Sequence, residues 1–200
     1  MKTEARVTLA LVLTNAVIYI ISVTLDPSVT SLGVMNYELV SEGQIYRIVS
    51  AMFLHGGLDH LFGNMFLLFA VGSMVEQSTG PVKYLVIYFV TGIAGNLTSY
   101  FWEMASGLRY NSLGASGAVY GVMAALIVLA LKRIPGVAVV RSRIPLAIIY
   151  CIYSSFAMPN IDYAAHIGGL VSGIILTSLM IRRPRINNDQ TFLLPDNTSW

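Results

Sequence analysis

Long apolar stretches separated by short polar ones run the length of the chain. They lie at about residues 7–23, 52–75, 82–102, 113–131, 144–158 and 164–181. A helix needs about 20 largely apolar residues to cross a hydrocarbon core about 30 Å thick, so the pattern predicts six helical spans. The fifth run is the shortest, about 22 Å at 1.5 Å per residue, and falls short of a full crossing. Between the first two runs the pattern changes. Residues 24–50 mix Asp26, Pro27, Glu38 and Glu42 with Leu32, Val34 and Tyr37. So long a connection has structure or function of its own. This one predicts an interfacial element half sunk among the headgroups. The closing stretch, "PRINNDQTFLLPDNTSW" at 184–200, is polar and predicts a short cytoplasmic tail.

Composition agrees. Hydrophobic residues make up 56% of the chain and charged ones 11%, against about 25% charged in soluble domains. The expectation is an all-α, multi-pass membrane protein. A net charge of +2 gives no electrostatic footprint for nucleic acid. The sole cysteine, Cys151, has no partner for an internal disulfide. Lys2 and Arg6 ahead of an apolar run resemble a signal peptide, but no small-x-small cleavage pattern follows, so the first run is expected to be retained. Six spans put both termini and the second–third and fourth–fifth connections on one side. That side collects Lys2, Arg6, Lys83, Lys132, Arg133, Arg141, Arg143, Arg182, Arg183 and Arg185, ten of the twelve basic residues, leaving Arg47 and Arg109 opposite. By the positive-inside rule both termini are cytoplasmic, in a cell membrane.

Polar groups inside such spans are costly and mark function by default. The second run carries His60 and Asn64, the fourth Ser116 and Tyr120, and the sixth His166. Residues 60–75, 116–131 and 166–181 each run from such a group to the inner charged boundary. Each stretch rises about 24 Å, which puts Ser116, His60 and His166 at one level, several Å below the outer surface.

A serine hydroxyl is a weak nucleophile until a base accepts its proton, and a neutral imidazole at the same depth, His166, suits that task. The oxyanion of acyl transfer needs aimed donors. His60 and Asn64, four residues apart, share one helix face and both can donate. The Ser116 N–H, at a helix start, adds a third. Asp162 is expected in the loop before the sixth helix, so the arrangement reads as a Ser–His dyad. Gly117 and Gly121 on the fourth helix and Gly169 and Gly173 on the sixth form small-residue faces that let helices approach closely. Tyr120 lies one turn below Ser116, where its ring can pack on the imidazole. Three histidines near Asp59 raise a metal alternative, but no HExxH occurs and that reading leaves Ser116 unused.

"HGGLDHLFGN" (55–64), "GASG" (114–117) and "AHIGGLVSG" (165–173), in this order, resemble the rhomboid family of intramembrane serine proteases, in its compact six-helix prokaryotic form. The likeness covers roughly residues 5–183. It implies a transmembrane protease domain over 1–183, with 184–200 as the tail, and a six-helix bundle with a long interfacial loop between helices 1 and 2. It implies Ser116 as nucleophile, His166 as general base, and an oxyanion hole of His60, Asn64 and the Ser116 N–H. Tyr120, Gly114, Gly117, Gly169 and Gly173 take supporting roles. The implied substrates are single-span transmembrane proteins within the bilayer, cut near its outer surface through an acyl-enzyme, without cofactor or metal. Glu76 matches a structural acidic residue on the second helix. Tyr46–Arg47 falls where many members have Trp–Arg. The fifth helix, with Tyr153 and Phe156, matches a lateral gate. His55 and Gly168 read as structural, and Asn96 has no assigned role. Some relatives are inactive and escort membrane proteins; those usually lack the serine or the histidine, and both are present here.

Overall fold

The computed structural model describes residues 4–143, 145, 146, 149 and 161–182. Most of the fifth apolar run, with Cys151, Tyr153 and Phe156, and the 184–200 tail lie outside these residues.

The described chain is helical, with one isolated two-residue bridge and no strand. The elements are α1 (Arg6–Ile20), α2 (Ser28–Gly33), α3 (Tyr37–Ser41), α4 (Arg47–Ser50), α5 (Leu58–Leu67), α6 (Ser73–Thr79), α7 (Pro81–Ser106), α8 (Ser116–Leu131) and α9 (Tyr163–Met180). A wide π turn, Ile21–Leu25, extends α1, and another, Leu68–Gly72, joins α5 to α6. Among the described residues, four helical stretches are long and apolar enough to cross a membrane: Arg6–Leu25, Leu58–Thr79, Pro81–Ser106 and Tyr163–Met180. The shorter apolar α8 has 16 residues.

Two boundaries differ from the apolar pattern. The second span begins at Leu58, not near 52. The fourth helix begins at Ser116, not near 113. Hydrophobicity reports burial, and a buried turn is as apolar as a helix. Ala51–Phe53 form a single 3₁₀ turn, followed by extended backbone at Leu54 and Gly57. The approach to Ser116 is likewise not helical, with Ser112 bridged to Met35.

Lipid, rather than water, decides which side chains turn inward. On α1 the buried residues are Thr8, Leu11 and Asn15, while Leu9, Leu13, Val17 and Ile20 face outward. The polar groups must find partners inside. Asn15 donates to the Leu11 carbonyl. The Thr8 hydroxyl and the N–H groups of Val7 and Thr8 donate to the Glu76 carboxylate at 2.7–3.0 Å. Glu76, 1% exposed, thereby ties the start of α1 to α6. The same lipid-facing pattern recurs on the second span, where Leu58, Phe62, Phe66 and Phe69 are exposed and Leu61, Asn64, Met65 and Leu68 are buried.

Helix α8 is the axis of the bundle, buried from Gly117 to Ala130 except at Ile127. It is flanked by α7 and α9 at backbone contact. A β-carbon at Gly95 of α7 would lie 2.7 Å from the Ala165 carbonyl oxygen and 3.4 Å from the Gly117 Cα. One at Gly169 would run into the Gly117 carbonyl, and one at Gly173 into that of Gly121. The two glycine pairs thus oppose each other, as their spacing predicts. At the C-terminal end of α8, the Lys132 ammonium donates to the Ser178 and Ile181 carbonyls and closes α9.

The 24–50 connection forms α2, α3 and α4, folded around Arg47. This guanidinium, 4% exposed, donates to the Ser31 and Val34 carbonyls at 2.9 and 2.7 Å and to Gln44 at 2.8 Å. The Tyr46 hydroxyl donates to the Leu32 carbonyl at 3.0 Å, so a tyrosine anchors the segment here. Asn96, unassigned from sequence, donates from α7 to the Ile48 carbonyl at 2.7 Å. It holds the end of this segment against the bundle.

Candidate active site

Ser116 is the first residue of α8 and is half-buried. Gly114, two residues earlier, has φ +136, a conformation that side-chain-bearing residues rarely adopt. A β-carbon there would also meet the His60 ring at 2.8–2.9 Å and lie 3.7 Å from Ser116 Oγ. The missing side chain at Gly114 therefore lets the His60 imidazole and the Ser116 hydroxyl both approach the space a β-carbon would take. The Gly114 N–H donates to the Ala51 carbonyl at 2.9 Å, which fixes this turn against the 3₁₀ segment.

His166 lies on the first turn of α9, 6% exposed. Its ring stacks on Tyr120, with centroids 4.1 Å apart and planes 17° from parallel. Tyr120 is one turn from Ser116 on α8, so the stack holds His166 beside the face that begins with Ser116. Gly117 and Gly169 make this approach possible, since any side chain at the contact would part the helices.

His60 projects from the first turn of α5 and is exposed, whereas Asn64, one turn on, is 7% exposed. The Asn64 amide donates to the His60 carbonyl at 2.9 Å. An amide carries two N–H donors, so one remains for a ligand. His55 packs edge-on against His60, centroids 5.1 Å apart. Among the described residues neither of its ring nitrogens completes a hydrogen bond, although the Phe53 backbone lies near.

Burial, reinforced by the neighbouring His60, pushes the His55 imidazole from 6.5 down to about 3. The unfolded chain then takes up a proton near pH 6.5 that the folded chain refuses. The stability is fully present above pH 6.5 and is lost progressively between 6.5 and about 3, at up to about 1.4 kcal/mol per pH unit. The detergent-solubilised protein is expected to lose melting temperature between pH 7 and pH 5. His55→Gln is expected to lose less over the same interval. Equal losses in the two proteins would refute the assignment.

The sequence pattern puts Asp162 in a loop before the sixth helix. It does lie outside that helix, immediately before Tyr163, and there it is the N-cap of α9, accepting the Ala165 N–H at 2.9 Å. Its other oxygen accepts the hydroxyls of Ser99 on α7 and Ser112 at 2.5 Å each. Tyr110 lies 3.3 Å from Ser99 Oγ. Burial pushes its phenol up to about 12, so it keeps its proton near neutrality. An aspartate immediately before an apolar run is a helix-start signal, and that signal could have placed Asp162. Nothing local could have found Ser99 or Ser112. Among the described residues, no three His, Cys, Asp or Glu side chains gather where they could hold a metal.

A hydroxyl and three imidazoles thus lie at one end of a helical membrane bundle whose central helices touch through glycine. Residues 42–183 match the Rhomboid domain family. The chain is 32% identical over 154 residues to the rhomboid protease GluP of Bacillus subtilis (strain 168), covering 76% of this chain and 29% of that one. It is 31% identical over 164 residues to RHOMBOID-like protein 5 of Arabidopsis thaliana, covering 80% and 52%. Inactive RHOMBOID-like protein 8 of Arabidopsis thaliana is 33% identical over 171 residues, covering 81% and 47%. The chain belongs to the rhomboid family and is a multi-pass membrane protein. It spans about half the length of these relatives or less.

Proposed function

We propose that the protein is an intramembrane serine endopeptidase that cuts single-span transmembrane proteins near the outer membrane surface. The observation that carries this reading is the stack of His166 on Tyr120, one turn from Ser116, on helices joined at Gly117 and Gly169. The bundle has six spans in this reading, with both termini in the cytoplasm and 1–183 as the protease domain. Ser116 Oγ attacks the scissile carbonyl carbon while His166 takes its proton. The carbonyl oxygen becomes an oxyanion held by the Ser116 N–H, the free Asn64 N–H and the His60 ring. The protonated His166 then gives its proton to the leaving amine, and an acyl-Ser116 ester remains. Water, deprotonated by His166, attacks that ester and releases the new carboxylate. Helix α8 is short enough to start below the outer surface, so its N-terminal dipole meets the oxyanion inside a low-dielectric rim.

A fluorophosphonate tests this reading directly. In liposomes the protein is expected to be phosphonylated at Ser116, mapped by mass spectrometry, and to lose cleavage of a single-span substrate in proportion. A chelator is expected to leave cleavage unchanged. Absence of label on Ser116, or inhibition by the chelator, refutes the proposal. Because one similar relative is named inactive, labelling is the decisive measurement.

A further inference from the structure

We infer that Asp162 is a positioning residue that sets the register between the segment leading to Ser116 and the helix carrying His166. The inference rests on the Ser116–His166 reading above. Asp162 precedes His166 by one helical turn, and Ser112 precedes Ser116 by the same interval. The Asp162 carboxylate accepts the Ser112 hydroxyl, which joins the two elements four residues ahead of the two site residues. The same carboxylate accepts Ser99 from α7 and the Ala165 N–H from the first turn of α9. The Asp162 carbonyl accepts the N–H of His166 itself at 3.2 Å.

The pinning is tight on the Ser116 side. Ser112 exchanges both backbone hydrogen bonds with Met35, at 2.8 and 3.0 Å, and Gly114 is held by Ala51. Three residues separate Ser112 from Ser116, and of these Gly114 and Ala115 are buried. A shift of Ser112 is therefore passed to Ser116 with little slack. Of the anchors on this segment, Met35 lies in the first connection and Ala51 in the 3₁₀ turn that follows it, and among the described residues only Asp162 is continuous with α9. Ser99 is fully buried and Ser112 is 5% exposed, so both hydroxyls depend on protein partners. Asp162 is not assigned to the reacting atoms; it acts through where it holds them. Misplacement by about 1 Å costs about 10²-fold in rate when two groups must meet in attack geometry.

The test compares wild type, Asp162→Ala, Asp162→Asn, Ser112→Ala and the double alanine variant in liposomes. It reads kcat and KM on a single-span substrate, the rate of fluorophosphonate labelling of Ser116, and the melting temperature. Asp162→Ala is expected to lower kcat and labelling rate about 10- to 100-fold with KM little changed. Asparagine caps helices as well as aspartate, and with its oxygen on the Ala165 N–H its two amide N–H groups can donate to the Ser99 and Ser112 hydroxyl oxygens, so Asp162→Asn is expected to recover most of that loss. Ser112→Ala removes a single oxygen and tests the link even if Asp162→Ala fails to fold. It is expected to lower the labelling rate about tenfold, and the double variant to be no slower than Asp162→Ala, as for two ends of one interaction. Wild-type labelling in Ser112→Ala, additive losses, or an Asp162→Asn no better than Asp162→Ala overturns the positioning role while the protease reading stands. A wild-type protein that neither cleaves nor labels overturns the protease reading and this role with it.

Discussion

Ser116→Ala is expected to abolish cleavage, and His166→Ala to do the same, each by about 10⁶-fold in kcat. In the proposed mechanism nucleophile and base act as one unit, so removing either leaves the other without a task. The double variant is expected to be no slower than either single one. Whatever residual rate survives comes from substrate binding and the oxyanion donors. His60→Ala and Asn64→Ala are expected to cost less, about 10²–10³-fold each. The Ser116, His60 and Asn64 variants should fold, because Ser116 and His60 carry no structural hydrogen bond from their side chains among those described, and the Asn64 bond stays within its own helix. Cleavage of a reporter with a single transmembrane segment, set beside melting temperature, reads both effects. Wild-type cleavage by Ser116→Ala would mean that the chemistry lies elsewhere.

Gly169→Ala is expected to damage the protein through packing alone. The added methyl would run into the Gly117 carbonyl oxygen, which is backbone and cannot turn aside. Helices α8 and α9 must part, and the displacement acts within one turn of both Ser116 and His166. Overpacking of this kind costs about 1–3 kcal/mol. The accompanying shift of the base is expected to cost about 10²-fold in kcat. Gly63→Ala supplies the contrast. Among the described residues, nothing beyond its own helix backbone and chain neighbours lies within 4 Å of a β-carbon there, in mid-helix on α5. It is expected to leave activity near wild type and to raise stability by up to about 1 kcal/mol through helix propensity. Equal melting temperatures for the two variants would show that the glycine contact is not tight.

Several elements are legible in the chain's own pattern. The apolar runs locate α1, α7 and α9, because in a membrane the length of an apolar run is itself the signal. The opposed glycine pairs follow from their four-residue spacing. The shared level expected for Ser116, His60 and His166 follows from counting to the charged boundaries. The starts of the second span and of α8 are not legible in this way, since Met52–Leu54 and Leu113–Ala115 are apolar without being helical. The pattern rightly leaves Asp162 outside the sixth helix, but no sequence rule connects it to Ser99 and Ser112, 63 and 50 residues away. Asn96 gains a role only through its partner, the Ile48 carbonyl, which has no sequence signature.

The sequence by itself determined that this is a helical membrane protein, which polar groups it keeps among its apolar runs, and which helix faces are small enough to meet. Those properties follow from local composition and from the energetic cost of polar atoms in lipid. Only the tertiary structure decided that the His60 ring and the Ser116 hydroxyl both approach the bare side of Gly114, that His166 lies flat on Tyr120, and that Asp162 joins the approaches to Ser116 and His166. Each of these is a contact between residues distant in the chain. Their meeting is set by how closely the helices pack, and a sequence period reports which face packs but not what waits on the other side.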